Sequence, residues 1–154
     1  MVDNGYDISD YKNVDSVFGN IEDFKELVKK FKEHDIKVII DFVPNHTSDQ
    51  HEWFQKSCLK IEPYTDYYVW LESSTESKLL PNNWKSVFGG TVWHWNSSRN
   101  AFYLHQFYKE QPDLNLRNVN VRRELKNVLK FWLDIGVAGF RIGNVKQPNS
   151  EIRL

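Results

Sequence analysis

The stretch Ile36-Lys-Val-Ile-Ile-Asp-Phe-Val-Pro-Asn-His-Thr-Ser48 constrains everything around it. Ile36, Val38, Ile39, Ile40, Phe42 and Val43 form an almost continuous apolar run rather than an alternation, the pattern of a parallel strand covered on both faces. Pro44 has no N–H for a sheet ladder and ends the run. Asp41, Asn45 and His46 then fall at or just past the carboxyl end of the strand, where α/β barrels collect binding and catalytic groups. Taken alone, Asp41 and Asn45 serve equally well as turn residues bonded to nearby backbone.

A parallel strand needs a helical crossover to reach its neighbour, and the flanking sequence supplies two helices. Asn20 is a good N-cap, and Glu22 and Asp23 sit near the positive end of the helix dipole. Phe24, Leu27, Val28 and Phe31 recur at helical spacing, with Lys25, Lys29, Lys30 and Lys32 on the other faces. Asn118 or Asn120 can cap a second helix with apolar face Val121, Leu125, Val128, Leu129, Trp132 and Leu133. Gly136 closes it, and Val137 to Ile142 reads as the next short strand. The opening stretch, Asp3 to Tyr11, is too rich in Asp and Asn for a central strand and reads as a loop with a glycine turn.

Pro44 to Asn118 is a connection of about 75 residues where a strand-to-helix loop normally takes ~2–6, so it carries structure of its own. His51 to Cys58 predicts a short helix. Thr91 to Trp95 and Ala101 to Phe107 predict a hairpin across Asn96 to Asn100. The aromatic cluster from Trp84 to Tyr103 predicts the small core of an inserted subdomain, of the kind that covers a pocket.

Twenty Lys and Arg against 21 Asp and Glu give no basic surface for nucleic acid or anionic lipid. No run approaches the ~18 apolar residues of a membrane span. Cys58 stands alone, so no internal disulfide forms. The start, Met1 to Tyr6, lacks the basic and apolar regions of a secretory signal. His34, His51, His94 and His105 form no metal motif and read as surface or packing residues. Asn45-His-Thr47 and Asn96-Ser-Ser98 match the glycosylation pattern, with Asn96 expected in an exposed turn and Asn45 facing a pocket.

Together Asp3-Asn-Gly-Tyr-Asp-Ile-Ser-Asp-Tyr11, Asp41-Phe-Val-Pro-Asn-His-Thr-Ser48, Gln111-Pro-Asp-Leu-Asn115 and Gly139-Phe-Arg-Ile142 resemble glycoside hydrolase family 13, the α-amylase clan, and within it the maltase-type α-glucosidases. The resemblance implies an α/β fold: part of a (β/α)8 TIM barrel with a small subdomain inserted after the third strand. It places barrel segments at 1–46 and 118–154 and the insertion at 47–117. It implies that Asp3 and Tyr6 line the subsite of a terminal glucose, Asp3 accepting from hydroxyls and Tyr6 stacking on the ring. Asp41 and Asn45 would support the site, His46 would donate to a hydroxyl of the same sugar, and Arg141 would sit beside the nucleophile. Gln111 to Asn115 is expected to order the return to the barrel without a catalytic role.

Retaining hydrolysis needs two carboxyl groups flanking the glycosidic bond. Where the family has its aspartate nucleophile this chain has Gly143. The resemblance places the general-acid glutamate, and the aspartate and histidine of the seventh strand, beyond Leu154, with the first strand before Met1. The expectation is therefore a piece of the barrel's first half with no catalytic carboxylate, poorly soluble unless another segment covers its edges. The tail Asn144 to Leu154 matches neither the family continuation nor a helix and is read as the aberrant end of a truncated product. The implied ligand is an α-glucoside or oligosaccharide, and the implied location is secreted or extracellular. No cofactor is implied, since the loop best placed to bind the family's common structural calcium would precede Met1. Two other classes stand beside the hydrolase: a catalytically silent binding protein related to amino-acid transporter heavy subunits, which share Pro81-Asn-Asn-Trp84, and a non-functional product.

Overall fold

The computed structural model describes residues 2–72, 80 and 82–143. Pro81 and the tail Asn144 to Leu154, on which two of the expectations fall, lie outside the described residues. The chain runs through α1 (Ile21–Glu33), β1 (Ile39–Phe42), α2 (Glu52–Cys58), β2 (Trp70–Glu72), β3 (Trp93–Asn96), β4 (Ala101–Leu104), α3 (Val119–Ile135) and β5 (Gly139–Ile142).

α1 starts where its cap lies. Asn20 accepts from the Glu22 and Asp23 N–H groups, and the Asp23 carboxylate accepts from the Asn20 N–H, a reciprocal capping box. α3 is capped by Asn118 rather than Asn120 and ends at Gly136 in the left-handed conformation, φ 110°. The Gly136 and Val137 N–H groups then donate to the Leu133 and Trp132 carbonyls. A side chain at Gly136 would also meet Val28 of α1 at 3.2 Å, so the turn sets how closely the two helices approach. Phe24 packs edge-on against Trp132 with centroids 5.2 Å apart.

β1 and β5 pair in parallel, Ile39 opposite Gly139 and Asp41 opposite Arg141. The paired strand is shorter than the apolar run of the sequence, and the expected cover on both faces is not seen: Ile39 is 63% and Ile142 56% exposed. Among the described residues β1 and β5 form a two-stranded sheet, so each strand leaves one edge unpaired. Leu27, Phe31 and Leu133 are exposed, while Val28, Val121, Leu125, Val128 and Trp132 are buried as their helical spacing predicts.

The long connection folds into an antiparallel sheet ordered β2-β4-β3, with Trp93 opposite Leu104 and Trp70 opposite Tyr103. The hairpin is the predicted one. β2 is not visible in the sequence because three residues carry no periodicity, and its pairing to β4 defines it. Val92, Trp93, Phe102 and Leu104 form a small second core, while Phe54, Tyr68 and Tyr103 join the main one. The return segment stitches the two sheets together. Thr47 donates to the Pro112 carbonyl at 3.3 Å, Leu114 to the Asn45 carbonyl at 2.9 Å and Asp113 to the Leu104 carbonyl at 2.9 Å.

Candidate functional site

Asn4 and Gly5 both have positive φ, 49° and 97°, and the Tyr6 N–H donates to the Asp3 carbonyl at 2.8 Å. This tight Asn-Gly turn brings Asp3 and Tyr6 to one side of the loop. Asp7 holds it from below by accepting from the Val2 and Asp3 N–H groups. The loop lies over the carboxyl ends of β1 and β5. There the Tyr6 hydroxyl donates to Asp41 Oδ2 at 2.7 Å, and Arg141 Nη1 donates to the same oxygen at 2.8 Å and to Tyr6 Oη at 3.3 Å.

Asp3, Tyr6, Asp41, His46, Arg141 and Gly143 line one cavity of about 260 Å³, together with Asn45, Phe88 and Phe107. All six residues expected at the site therefore converge: Asp3, Tyr6, His46 and Arg141 on the lumen, Asp41 and Asn45 among the groups that hold them. Phe88 and Phe107 come from the long connection: the sequence places Phe88 within an aromatic cluster expected mainly to pack and Phe107 at the end of the predicted hairpin, and neither is singled out for the site. The arrangement offers acceptors (Asp3, Asp41), donors (Arg141, His46) and ring faces, a set suited to a polyhydroxylated ligand. At Gly143 the nearest atom an added Cβ would meet is Arg141 Nη1, 4.0 Å away, so the backbone there leaves room for a side chain to start.

His46 is buried, which lowers its pKa against the opposing pull of the Tyr6 carbonyl and Asp3. Its Nδ1 lies 3.2 Å from Asn45 Nδ2, and its Nε2 lies 2.9 Å from the Tyr6 carbonyl and 3.2 Å from Gln111 Nε2, whose two hydrogens have Asp3 Oδ2 and the Tyr6 carbonyl as acceptors. An amide nitrogen only donates and a carbonyl only accepts, so the neutral ring carries its hydrogen on Nε2. That N–H is spent on Tyr6 in this state, and a ligand hydroxyl would compete for it.

Behind the cavity stands a polar hub that sequence reading treated as a loop. Gln111 is fully buried, and its amide donates to Asp3 Oδ2 at 3.0 Å and to the Tyr6 carbonyl at 3.2 Å. Asp113 accepts from Asn45 Nδ2 at 3.2 Å, from the Gln106 N–H at 3.2 Å and from Gln106 Nε2 at 2.5 Å. Burial pushes the Asp113 carboxyl up to about 7 despite these donors. The signal in the sequence was chemical rather than periodic: a Gln and an Asp on either side of a proline.

Two other expectations are revised, for His51 and Asn96, while His105 is the packing residue expected. His51 is neither surface nor mere packing: its Nδ1 caps α2 by accepting from the Trp53 N–H at 3.0 Å, and burial lowers its pKa to about 4. His105 is buried, with Nδ1 3.0 Å from the Phe107 carbonyl. Asn96 is not a free turn residue, since its amide donates to Cys58 Sγ at 3.3 Å and its carbonyl accepts from the Arg99 N–H at 2.8 Å. Among the described residues no three His, Cys, Asp or Glu side chains converge to hold a metal ion. No helix among them is long and apolar enough to cross a membrane.

A parallel β-α-β unit with its polar side chains at the carboxyl ends of the strands, and an antiparallel subdomain hung from the third-strand connection, defines a segment of a (β/α)8 barrel. Residues 1–152 match the model of the alpha amylase catalytic domain, and the chain belongs to that family. Over 94% of its length it is 53% identical to salivary alpha-glucosidase of Aedes aegypti, covering 26% of that protein. It is 50% identical over 92% of its length to the human amino acid transporter heavy chain SLC3A1, covering 21% of it. The trehalulose synthase MutB E254Q mutant, solved in complex with sucrose, superposes with a TM-score of 0.84 at 45% identity over 91% of this chain and 25% of the synthase. The chain thus spans about a quarter of the length of the relatives it matches.

Proposed function

We propose that the chain supplies the part of an α-glucosidase-type barrel that receives the terminal glucose of an α-glucoside, and that it does not itself cleave the bond. Asp3 accepts from sugar hydroxyls, Tyr6 stacks on the ring, His46 donates through Nε2, and Arg141 faces the reacting carbon from the end of β5. Asp41 and Asn45 hold Arg141 and His46 in place. The antiparallel sheet of the connection and the parallel pair β1 and β5 support a division into barrel segments 1–46 and 118–154 with an inserted subdomain at 47–117. The observation that carries the reading is the convergence of all these groups on one cavity whose wall ends at Gly143.

Double displacement at an anomeric carbon requires a nucleophile and a general acid about 5–5.5 Å apart. A hydrogen at position 143 can play neither part. The test is release of p-nitrophenol from its α-glucoside by the full 154-residue chain and by Gly143→Asp, beside binding of methyl α-glucoside measured by saturation-transfer NMR. Binding without release by the chain as written supports the reading, and release by that chain overturns the assignment of position 143. A second reading, a silent barrel that binds a protein partner, draws on Gly143 and on the similarity to the transporter heavy chain. It predicts no glucoside binding at all.

A further inference from the structure

We infer that Asp113 is a positioning residue for the sugar site: its carboxylate orients the Asn45 amide, and that amide fixes which nitrogen of His46 carries the hydrogen. The inference deepens the α-glucoside reading, because the Nε2–H it secures is the donor that reading assigns to the sugar.

The argument is one of donor and acceptor matching. Asn45 Nδ2 has two hydrogens, and two acceptors lie 3.2 Å away, Asp113 Oδ1 and His46 Nδ1. If the Asn45 amide were turned over, its carbonyl oxygen would face Asp113 Oδ1, which the Gln106 backbone N–H at 3.2 Å keeps an acceptor even when the other carboxyl oxygen carries a proton, so acceptor would meet acceptor in a buried site. His46 would then need its hydrogen on Nδ1, and bare Nε2 would face the Tyr6 carbonyl, now 2.9 Å away, acceptor against acceptor, with only the longer 3.2 Å contact to Gln111 Nε2 to offset it. One carboxylate in the return segment thus settles the direction of three successive hydrogen bonds that end at the Tyr6 turn. The segment does not need that carboxylate for its own path. Backbone bonds from Thr47 to Pro112, from Asp113 to Leu104 and from Leu114 to Asn45 already hold it. A buried carboxylate is costly, so a residue that only filled space here would be better apolar.

The experiment is a long-range nitrogen-15 correlation of the imidazoles in the full, uniformly labelled chain without sugar, paired with titration of p-nitrophenyl α-glucoside. The expected result is a neutral His46 with its hydrogen on Nε2. Asp113→Ala should lose that single tautomer and weaken glucoside binding by about tenfold, the scale of one misdirected buried hydrogen bond. Asp113→Asn keeps a carbonyl oxygen where Oδ1 lies and should restore both. Should Asp113→Ala fail to fold, Asn45→Asp serves instead: it places an acceptor beside Nδ1 and should move the hydrogen there. A hydrogen on Nδ1 in the unaltered chain, or Nε2–H unchanged in Asp113→Ala or Asn45→Asp, overturns the inference. The expected tautomers without any glucoside binding would support it while overturning the α-glucoside reading.

Discussion

Replacing Asp113 by Asn should change how stability depends on pH, in a direction and window that the structure fixes. The carboxyl is buried and pushed from 3.8 up to about 7, so the folded chain holds a proton that the unfolded chain has already released. Stability from this group is therefore complete below about pH 4 and is lost as pH rises toward 7, because the folded state binds more protons across that interval. At about 1.4 kcal/mol per pH unit the full span amounts to ~4 kcal/mol, an upper bound since relaxation and entering water soften such burial. Asparagine mimics the protonated acid and cannot ionise. The variant should match the original chain near pH 4 and exceed it by up to ~4 kcal/mol above pH 7.

His51 pulls the other way. Its value falls from 6.5 to about 4, so it adds stability above pH 6.5 that is lost as pH drops toward 4. The two groups nearly cancel between about pH 4 and 6.5, leaving the original chain with a shallow profile whose remaining rise comes from His46, His94 and His105, each also lowered by burial. Urea unfolding followed by tryptophan fluorescence, at half-unit steps from about pH 4.5 to 8, reads the difference between variant and original. That difference should climb by about one proton's slope, ~1.4 kcal/mol per pH unit, and level off past pH 7. A pH-independent difference would refute the reasoning, since it would mean that Asp113 has the same proton affinity folded and unfolded.

Other substitutions test the supports of the site. His51→Gln keeps a side-chain acceptor near the Trp53 N–H but cannot protonate, so acid unfolding should shift to lower pH, with the falling Asp113 contribution exposed between about pH 4 and 6.5. Tyr11→Phe removes a buried hydroxyl whose single hydrogen lies between two acceptors, the Val43 carbonyl at 2.7 Å and the His46 carbonyl at 2.9 Å. It should cost ~1–3 kcal/mol in the same urea assay and broaden the His46 resonances. Gly136→Ala forces a side chain into a left-handed turn and against Val28, and should destabilise by ~1–2 kcal/mol without altering glucoside binding. Asn20→Ala removes the cap of α1 at a cost of ~1 kcal/mol, seen as a lower thermal midpoint.

The helices were legible because each carries its own start, face and stop. Asn20, the run Phe24 to Phe31, and Asn118 with Gly136 name α1 and α3 without help from the rest of the chain. The strand pair was legible in kind but not in cover, since an apolar run reports what a strand demands from its neighbours rather than what this stretch of chain supplies. The convergence of Asp3, Tyr6, His46 and Arg141 came from motif resemblance, and their spacing alone would not have shown it. The hub escaped because its meaning is entirely long-range: Gln111 becomes informative only when its amide meets Asp3 and the Tyr6 carbonyl from the far end of the connection. A buried polar residue in a loop has no period to detect, so composition against burial was the one available signal.

Gly143 acquires a different significance once the ion pair beside it is taken into account. Arg141 would leave an uncompensated charge at the cavity if a carboxylate at position 143 were its only partner. Instead Asp41 neutralises it at 2.8 Å, directly across the parallel register, and Tyr6 donates to that same carboxylate. Both partners are well exposed, 62% and 39%, so the pair adds little stability but fixes direction. The sugar-facing groups thus keep their arrangement with hydrogen at position 143, which is what binding without cleavage requires. A carboxylate introduced by Gly143→Asp would compete with Asp41 for one guanidinium, so restoring the nucleophile alters the support of the site at the same time.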